Sequence, residues 1–362
     1  ALLTLPANFN LKGSINKTGG QALSLNFTNG GSVSGVVGTA ANSVGGIITA
    51  GATSFASSVN AKGTATLSGT TSFADIFTNT GAVNLAKVSV TNFAKNVTAT
   101  SFTANGATIN FGNSLAFNGD ITGSDTKISL GANQVTYTGI GSFTDKLTLN
   151  TIFDGAAKSG GNILIKSGST LDLSGVSTLT LAITAINFNI NDIDPTTKYT
   201  VISDETAGGL KPAPEGNVKI TINNENRFVD FTFDASTLTL FAKDVSEEVI
   251  DNEFKPGGPL VNIPNAANVE RSLKLMAAVP SDSDAHQALD NWGKLTPIQE
   301  ADAVTHLMRD VVKPSDAVAA ISNQIVLSNI SSSLINLNAR MDVIQPTAVA
   351  AGDGDIDTKF GA

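Results

Sequence analysis

Phe55, Phe73, Phe93 and Phe111 lie 18, 20 and 18 residues apart. Ser54-Phe55, Ser72-Phe73 and Ser101-Phe102 share one local context. A repeat near 20 residues is typical of a solenoid, in which each coil sets its inward side chain on the coil below. The segments between alternate with period 2: Leu23/Leu25/Phe27, Ala107/Ile109/Phe111, Ile128/Leu130, Leu147/Leu149, Ile163/Ile165, Leu171/Leu173 and Leu179/Leu181/Ile183. Such strands bury one face and wet the other. Asn29-Gly30, Asn118-Gly119, Asp154-Gly155 and Gly160-Gly161 supply the positive-φ positions of turns. Residues 1–190 therefore read as a β-solenoid, most closely a right-handed β-helix. A β-sandwich or stacked hairpins is the alternative that the same alternation allows.

Charge divides the chain near residue 190. Residues 1–190 hold 9 Lys, 6 Asp and neither Arg nor Glu, a balance of +3; the remainder carries −12. Nothing is basic enough for nucleic acid. With no cysteine there is no disulfide, thiol nucleophile or thiolate metal site. The carboxylates of the first part (Asp75, Asp120, Asp125, Asp145, Asp154, Asp172) are scattered, and both histidines, His286 and His306, stand in the second part. Glycoside chemistry needs paired carboxylates, and a serine nucleophile needs a base. No catalytic residue, cofactor site or metal site is assigned, and the chain reads as a non-enzyme.

Residues 191–243 read as a β cap rich in Phe228, Phe231, Phe233 and Phe241, with further coils as the alternative. Residues 244–264 read as an acidic, breaker-rich linker ending in Pro256-Gly257-Gly258-Pro259 and beyond. Residues 265–314 read as helical. Asn265 is placed to cap a helix bearing Val269, Leu273 and Met276, a short helix follows at Ala285–Asp290, and Thr296-Pro297-Ile298-Gln299 has the form of a capping box. The histidines read as packing or surface residues. Residues 315–343 contain 23 consecutive uncharged residues, Ala317–Ala339, without Gly or Pro. As a helix they span about 35 Å, enough to cross a bilayer, yet ten Ser, Asn and Gln side chains make them too polar to face lipid. Such a helix suits the lumen of a membrane β-barrel; an amphipathic helix packed on its neighbours is the plainer reading. Residues 344–362 read as a linker and the start of a barrel. In them Asp353-Gly354-Asp355-Ile356-Asp357 has the first ligands of a calcium loop, but Thr358 stands where that loop needs Gly, so it reads as solvated linker. Without a leading Met or a secretory signal, the sequence reads as a piece of a longer protein.

Several stretches together resemble the surface cell antigen autotransporters of rickettsiae: Lys198–Pro212 (KYTVISDETAGGLKP), Asn223–Phe241, Gly257–Val269, Thr296–Asp316 and Leu337–Asp342 (LNARMD). Gly131–Asn150 and Gly160–Gly175 extend the likeness into the first part. The resemblance implies a surface-exposed autotransporter adhesin of type V secretion, a virulence-associated surface antigen with its passenger outside the cell. It implies attachment to and entry into host cells through an unidentified host cell-surface receptor. The other implied partners are the protein's own C-terminal outer-membrane β-barrel and the outer-membrane assembly machinery. Some self-cleaving autotransporters are cut at an Asn-Asn pair, whereas here Leu337 separates Asn336 from Asn338. No Arg-Gly-Asp occurs. The alternatives are a structural surface-layer or scaffold protein without a receptor, and a β-helix glycan-active enzyme.

Overall fold

The alternating segments pair in parallel, each with the segment one coil later. In the computed structural model, residues 1–16, 22–243, 245, 247–258, 260–262, 266–279, 283–296, 298–300 and 302–303 are described. They form two units. One comprises Ala1–Asn187, Thr196–Asn224 and Thr232–Phe241; the other comprises Phe188–Pro195, Glu225–Phe231 and the described residues from Ala242 onward.

The first unit is a β-solenoid with three parallel faces. On face A, Leu25 pairs Ile47, which pairs Ala65, then Val83, Phe102, Ile121, Gly141, Leu171 and Leu210 in succession. On face B, Phe55, Phe73, Phe93 and Phe111 are directly in register. Face C stacks Val37, Val59, Phe77, Val97, Phe117, Tyr137 and Ile165. Parallel register between successive coils rules out the sandwich and the hairpin stack. This unit also contains antiparallel pairs, among them Phe153 and Asp154 with Ser159–Gly160, and Tyr199–Thr200 with Thr239 and Leu240.

The inward residues make the core. Phe55 stacks on Phe73 at 5.1 Å between centroids, Phe73 on Phe93 at 5.4 Å, and Phe93 on Phe111 at 6.3 Å. Each buried Phe contributes roughly 1.5–3 kcal/mol by area, and each stacked pair about 0.5–1.5 kcal/mol more. Inward threonines are only partly satisfied across coils: the hydroxyls of Thr49 and Thr71 lie 2.7 Å apart, whereas those of Thr53 and Thr91 are buried without a hydrogen-bond partner among the described residues.

A coil must turn sharply between faces A and B, and in six successive coils one left-handed residue makes that corner. The residues are Gly51 (φ 70°), Gly69 (68°), Val88 (57°), Gly106 (66°), Asp125 (52°) and Asp145 (57°). Asp tolerates this region; a β-branched Val does so only when its surroundings impose it. At Gly69 a Cβ would strike the Gly51 backbone, whereas at Gly168 (φ 81°) nothing lies within 4 Å. Gly69→Ala is therefore expected to cost more than about 1 kcal/mol, and clearly more than Gly168→Ala, which bears only the conformational part. Thermal melts followed by far-UV circular dichroism check this; equal losses would contradict it.

The coils continue past residue 190. Ile202–Asp204, Leu210–Lys211 and Val218–Asn224 pair in parallel with Asn162–Ile165 and Thr170–Ile186, so the stretch read as a cap contains one more complete coil. Its different charge reflects the outward residues, which do not affect the inward period.

Among its described residues the second unit includes the helices α1 (Glu247–Phe254), α2 (Ala266–Ala277) and α3 (Asp284–Gly293). α1 stands inside the stretch read as linker. Glu247 and Glu248 in its first turn favour the positive end of the helix dipole, and Ile250 is buried. α2 buries Leu273 and Met276. α3 begins at Ser283, whose hydroxyl accepts from the His286 N–H at 3.2 Å. At Thr296 the capping box is formed: its N–H donates to Gln299 Oε1 at 2.8 Å, and the Gln299 N–H donates back to its hydroxyl at 3.4 Å. Among the described residues no helix is long and apolar enough to cross a membrane, which says nothing about β-barrels. Asn265, His306, the uncharged helix of 315–343 and the stretch 344–362 lie outside the described residues.

Candidate functional site

The outward positions of face B build a polar ladder along the stack. Asn92 Nδ2 donates to Ser72 Oγ at 2.9 Å, and Asn110 Nδ2 donates to Asn92 Oδ1 at 2.7 Å. Two coils further, Asn150 Nδ2 donates to Ser129 Oγ at 3.1 Å. The side chains hold one another in place because parallel pairing puts each directly over the last, at about 4.8 Å.

Where the ladder reaches Ala182 it opens into a cleft of ≈ 390 Å³, within the range of small-ligand sites. One wall is the rung series Ser129, Asn150, Ala182 and Thr221; the other is Ile152, Thr184 and Asn223. Between them run Gly131, Thr151 and Ile183. The depression follows from small residues at positions that carry larger side chains elsewhere on the ladder. The floor is fixed by Thr151, whose buried hydroxyl donates to the Gly161 carbonyl at 2.5 Å. Thr221 and Asn223 are exposed, while Asn150 and Thr184 are half-buried. No charged side chain lines the cleft.

Four of the six scattered carboxylates of the solenoid are held by backbone N–H groups and neighbouring side chains. Asp75 faces Lys95 at 3.2 Å, and the Ile76 backbone N–H together with that lysine holds its carboxyl below the ordinary range. Asp120 accepts from the Ile140 N–H at 2.8 Å. Asp154 accepts from the Ala157 N–H and from Asn187, both at 3.1 Å. Asp172 accepts from the Ser174 hydroxyl and N–H at 2.6 and 3.0 Å and pairs with Lys211; these bonds bring it down to about 2. The described residues bring no three His, Asp or Glu side chains together as a metal site.

Two buried polar clusters organise the second unit. Asp290 Oδ1 accepts from the Ile190 N–H and from Asn226 Nδ2, both at 2.7 Å, and Oδ2 accepts from Lys294 at 2.8 Å. Asn226 also donates to the Phe188 carbonyl at 3.2 Å, and Lys294 to Asn189 at 2.6 Å. The second cluster is Arg227 between Glu253 of α1 (3.1 Å) and Glu300. His286 is buried on α3, as a packing histidine would be.

The Arg227 cluster sets a pH response. Burial pushes both Glu253 and Glu300 above their ordinary value of 4.5, and Arg227 offsets this only in part. Between 4.5 and the raised folded values the folded form holds protons that the unfolded form has released, so stability falls as pH rises through that window. Asp251 is lowered by its bond from Lys274, so its contribution is lost as pH falls below 3.8. The second unit is therefore expected to be more stable on the mildly acidic side than at neutrality. Urea midpoints read by the fluorescence of Trp292, the chain's single tryptophan, test this. A midpoint that climbs steadily to pH 7 contradicts it.

Against known proteins, the chain is 75% identical over 363 aligned residues, 99% of its length, to Outer membrane protein A of Rickettsia conorii (strain Malish 7). The same figures hold for Outer membrane protein A of Rickettsia rickettsii. The chain is homologous to rickettsial outer membrane protein A. The resemblance read from separate stretches thus runs through the solenoid as well. The chain spans 18% and 16% of the length of these outer membrane protein A relatives. It shares with them a location at the outer membrane and cell surface. No protein-family profile and no solved structure matches it.

Proposed function

We propose that the chain is the stem and adjoining helical part of a surface-exposed autotransporter passenger, a non-catalytic adhesin that promotes attachment to and entry into host cells. The observation that carries this reading is the 75% identity to two rickettsial outer-membrane proteins over nearly the whole chain. The solenoid supports it: a coil stack with an outward face of uncharged hydrogen-bonding side chains offers a long binding surface. On this reading the partners are a host cell-surface receptor, the protein's own β-barrel and the outer-membrane assembly machinery. Residues 315–343 would thread that barrel, and the passenger would lie outside the cell.

The test is adhesion of beads coated with the 362-residue chain to host cell monolayers. Saturable binding, competed by soluble chain, is the expected result. Binding no greater than that of beads coated with an unrelated protein would favour a surface scaffold without a receptor.

A further inference from the structure

The cleft at Ala182 presents a particular chemistry. Its polar groups are all side-chain amides and hydroxyls: Ser129, Asn150, Thr184, Thr221 and Asn223. Among the described residues, Thr184, Thr221 and Asn223 have no hydrogen-bond partner, whereas Asn150 has spent a donor on Ser129 and keeps its carbonyl oxygen outward. The backbone is spent in the parallel ladder on both sides, so an extended peptide finds no free edge to join as a strand. With no charge in the lining, a phosphate, a sulfate or a polyanion gains nothing there. Ala182 and Ile152 give apolar contact between the polar walls.

From these features we propose that the cleft is a binding site for a neutral oligosaccharide lying along the coil stack. Its hydroxyls meet the amide and hydroxyl groups of four successive coils, which cover about 14 Å at the rung spacing. Sugar C–H groups rest on Ala182 and Ile152. The proposal rests on the reading of the chain as a surface-binding protein and adds the class of ligand and the place.

The experiment titrates the 362-residue chain with neutral tetrasaccharides of glucose, mannose, galactose and N-acetylglucosamine, with a sulfated tetrasaccharide for comparison. At least one neutral tetrasaccharide is expected to bind with millimolar or tighter affinity, independently of salt. Ala182→Leu, which pushes a larger side chain from the wall into the cleft, is expected to weaken binding by about tenfold or more, and Asn223→Ala, on an exposed side chain, by severalfold. Circular dichroism establishes that each variant is folded. Absence of binding by every neutral probe overturns the proposal. So does binding that Ala182→Leu and Asn223→Ala leave unchanged, or a salt-sensitive preference for the sulfated probe. The bead assay separates the two readings. Neutral sugar binding without cell adhesion removes the adhesin reading and leaves the cleft; cell adhesion undiminished in Ala182→Leu, with no sugar bound by the original chain, does the reverse.

Discussion

Phe93→Ala is expected to destabilise the coil stack by about 3–5 kcal/mol. Phe93 is 1% exposed, stacked between Phe73 and Phe111 and tilted against Phe77 at 5.9 Å. Removing its ring leaves a void that the three rings cannot fill, since each is held in register by the strand that bears it. The loss also falls in the middle of a nearly one-dimensional structure, where each coil is stabilised mainly by its two neighbours. Unfolding should then become less cooperative as well as easier. Urea denaturation followed by far-UV circular dichroism reads both the midpoint and the steepness. Val88→Ala, at an 84% exposed side chain on a left-handed corner, loses no packing and sheds a β-branched side chain from a strained backbone, so it should not destabilise the stack. Phe93→Ala behaving like Val88→Ala would show that the ring stack does not support the fold.

Asp290→Ala is expected to cost the second unit about 3–5 kcal/mol. The carboxylate is fully buried. Its removal strands the Ile190 N–H and an Asn226 amide donor away from water and leaves Lys294 with only Asn189. Asp290→Asn keeps the shape and one acceptor, so a smaller loss is expected. Trp292, two residues along the same helix and 2% exposed, reports this unit by fluorescence. A strand-dominated dichroism signal reports the solenoid. The expected outcome is a lower fluorescence midpoint with the strand signal little changed. A fluorescence midpoint unaffected by Asp290→Ala would show that the buried carboxylate is not what fastens this unit.

The coil period was legible because it is written in large inward residues. Phe55, Phe73, Phe93 and Phe111 mark one face of four consecutive coils, and the parallel register follows from their spacing. The corners were half legible. Gly51, Gly69 and Gly106 announce a left-handed residue, whereas Val88, Asp125 and Asp145 occupy the same corner with no such signal, because the coils on either side impose the turn. The cleft left no mark in the sequence at all. Its rungs Asn150, Ala182 and Thr221 are brought together by the longest coils, after the hairpin at Asp154–Ser159 and the excursion through Phe188–Pro195 have broken the 20-residue period. The α1 helix was hidden by its acidity, since Glu247 and Glu248 suit a helix start as well as a solvated linker.

The two units also differ in how much chain must be present before they can close. Side-chain bonds between neighbouring coils join residues 18 to 23 apart up to Asn150, as in Asn92–Asn110 and Ser34–Ser57, and 30 to 41 apart in the last coils. The Asp290 cluster joins residues 100 and 105 apart, Ile190 to Asp290 and Asn189 to Lys294. Closing the longer loop costs about 1.4 kcal/mol more in chain entropy. Coils can therefore form one at a time on the coil already laid down, each needing about one repeat of fresh chain. In the helical unit the Asp290 cluster closes only once Phe188 through Lys294 are all available. For a chain that emerges through a narrow opening, the first behaves as a ratchet with many small steps and the second as a single latch.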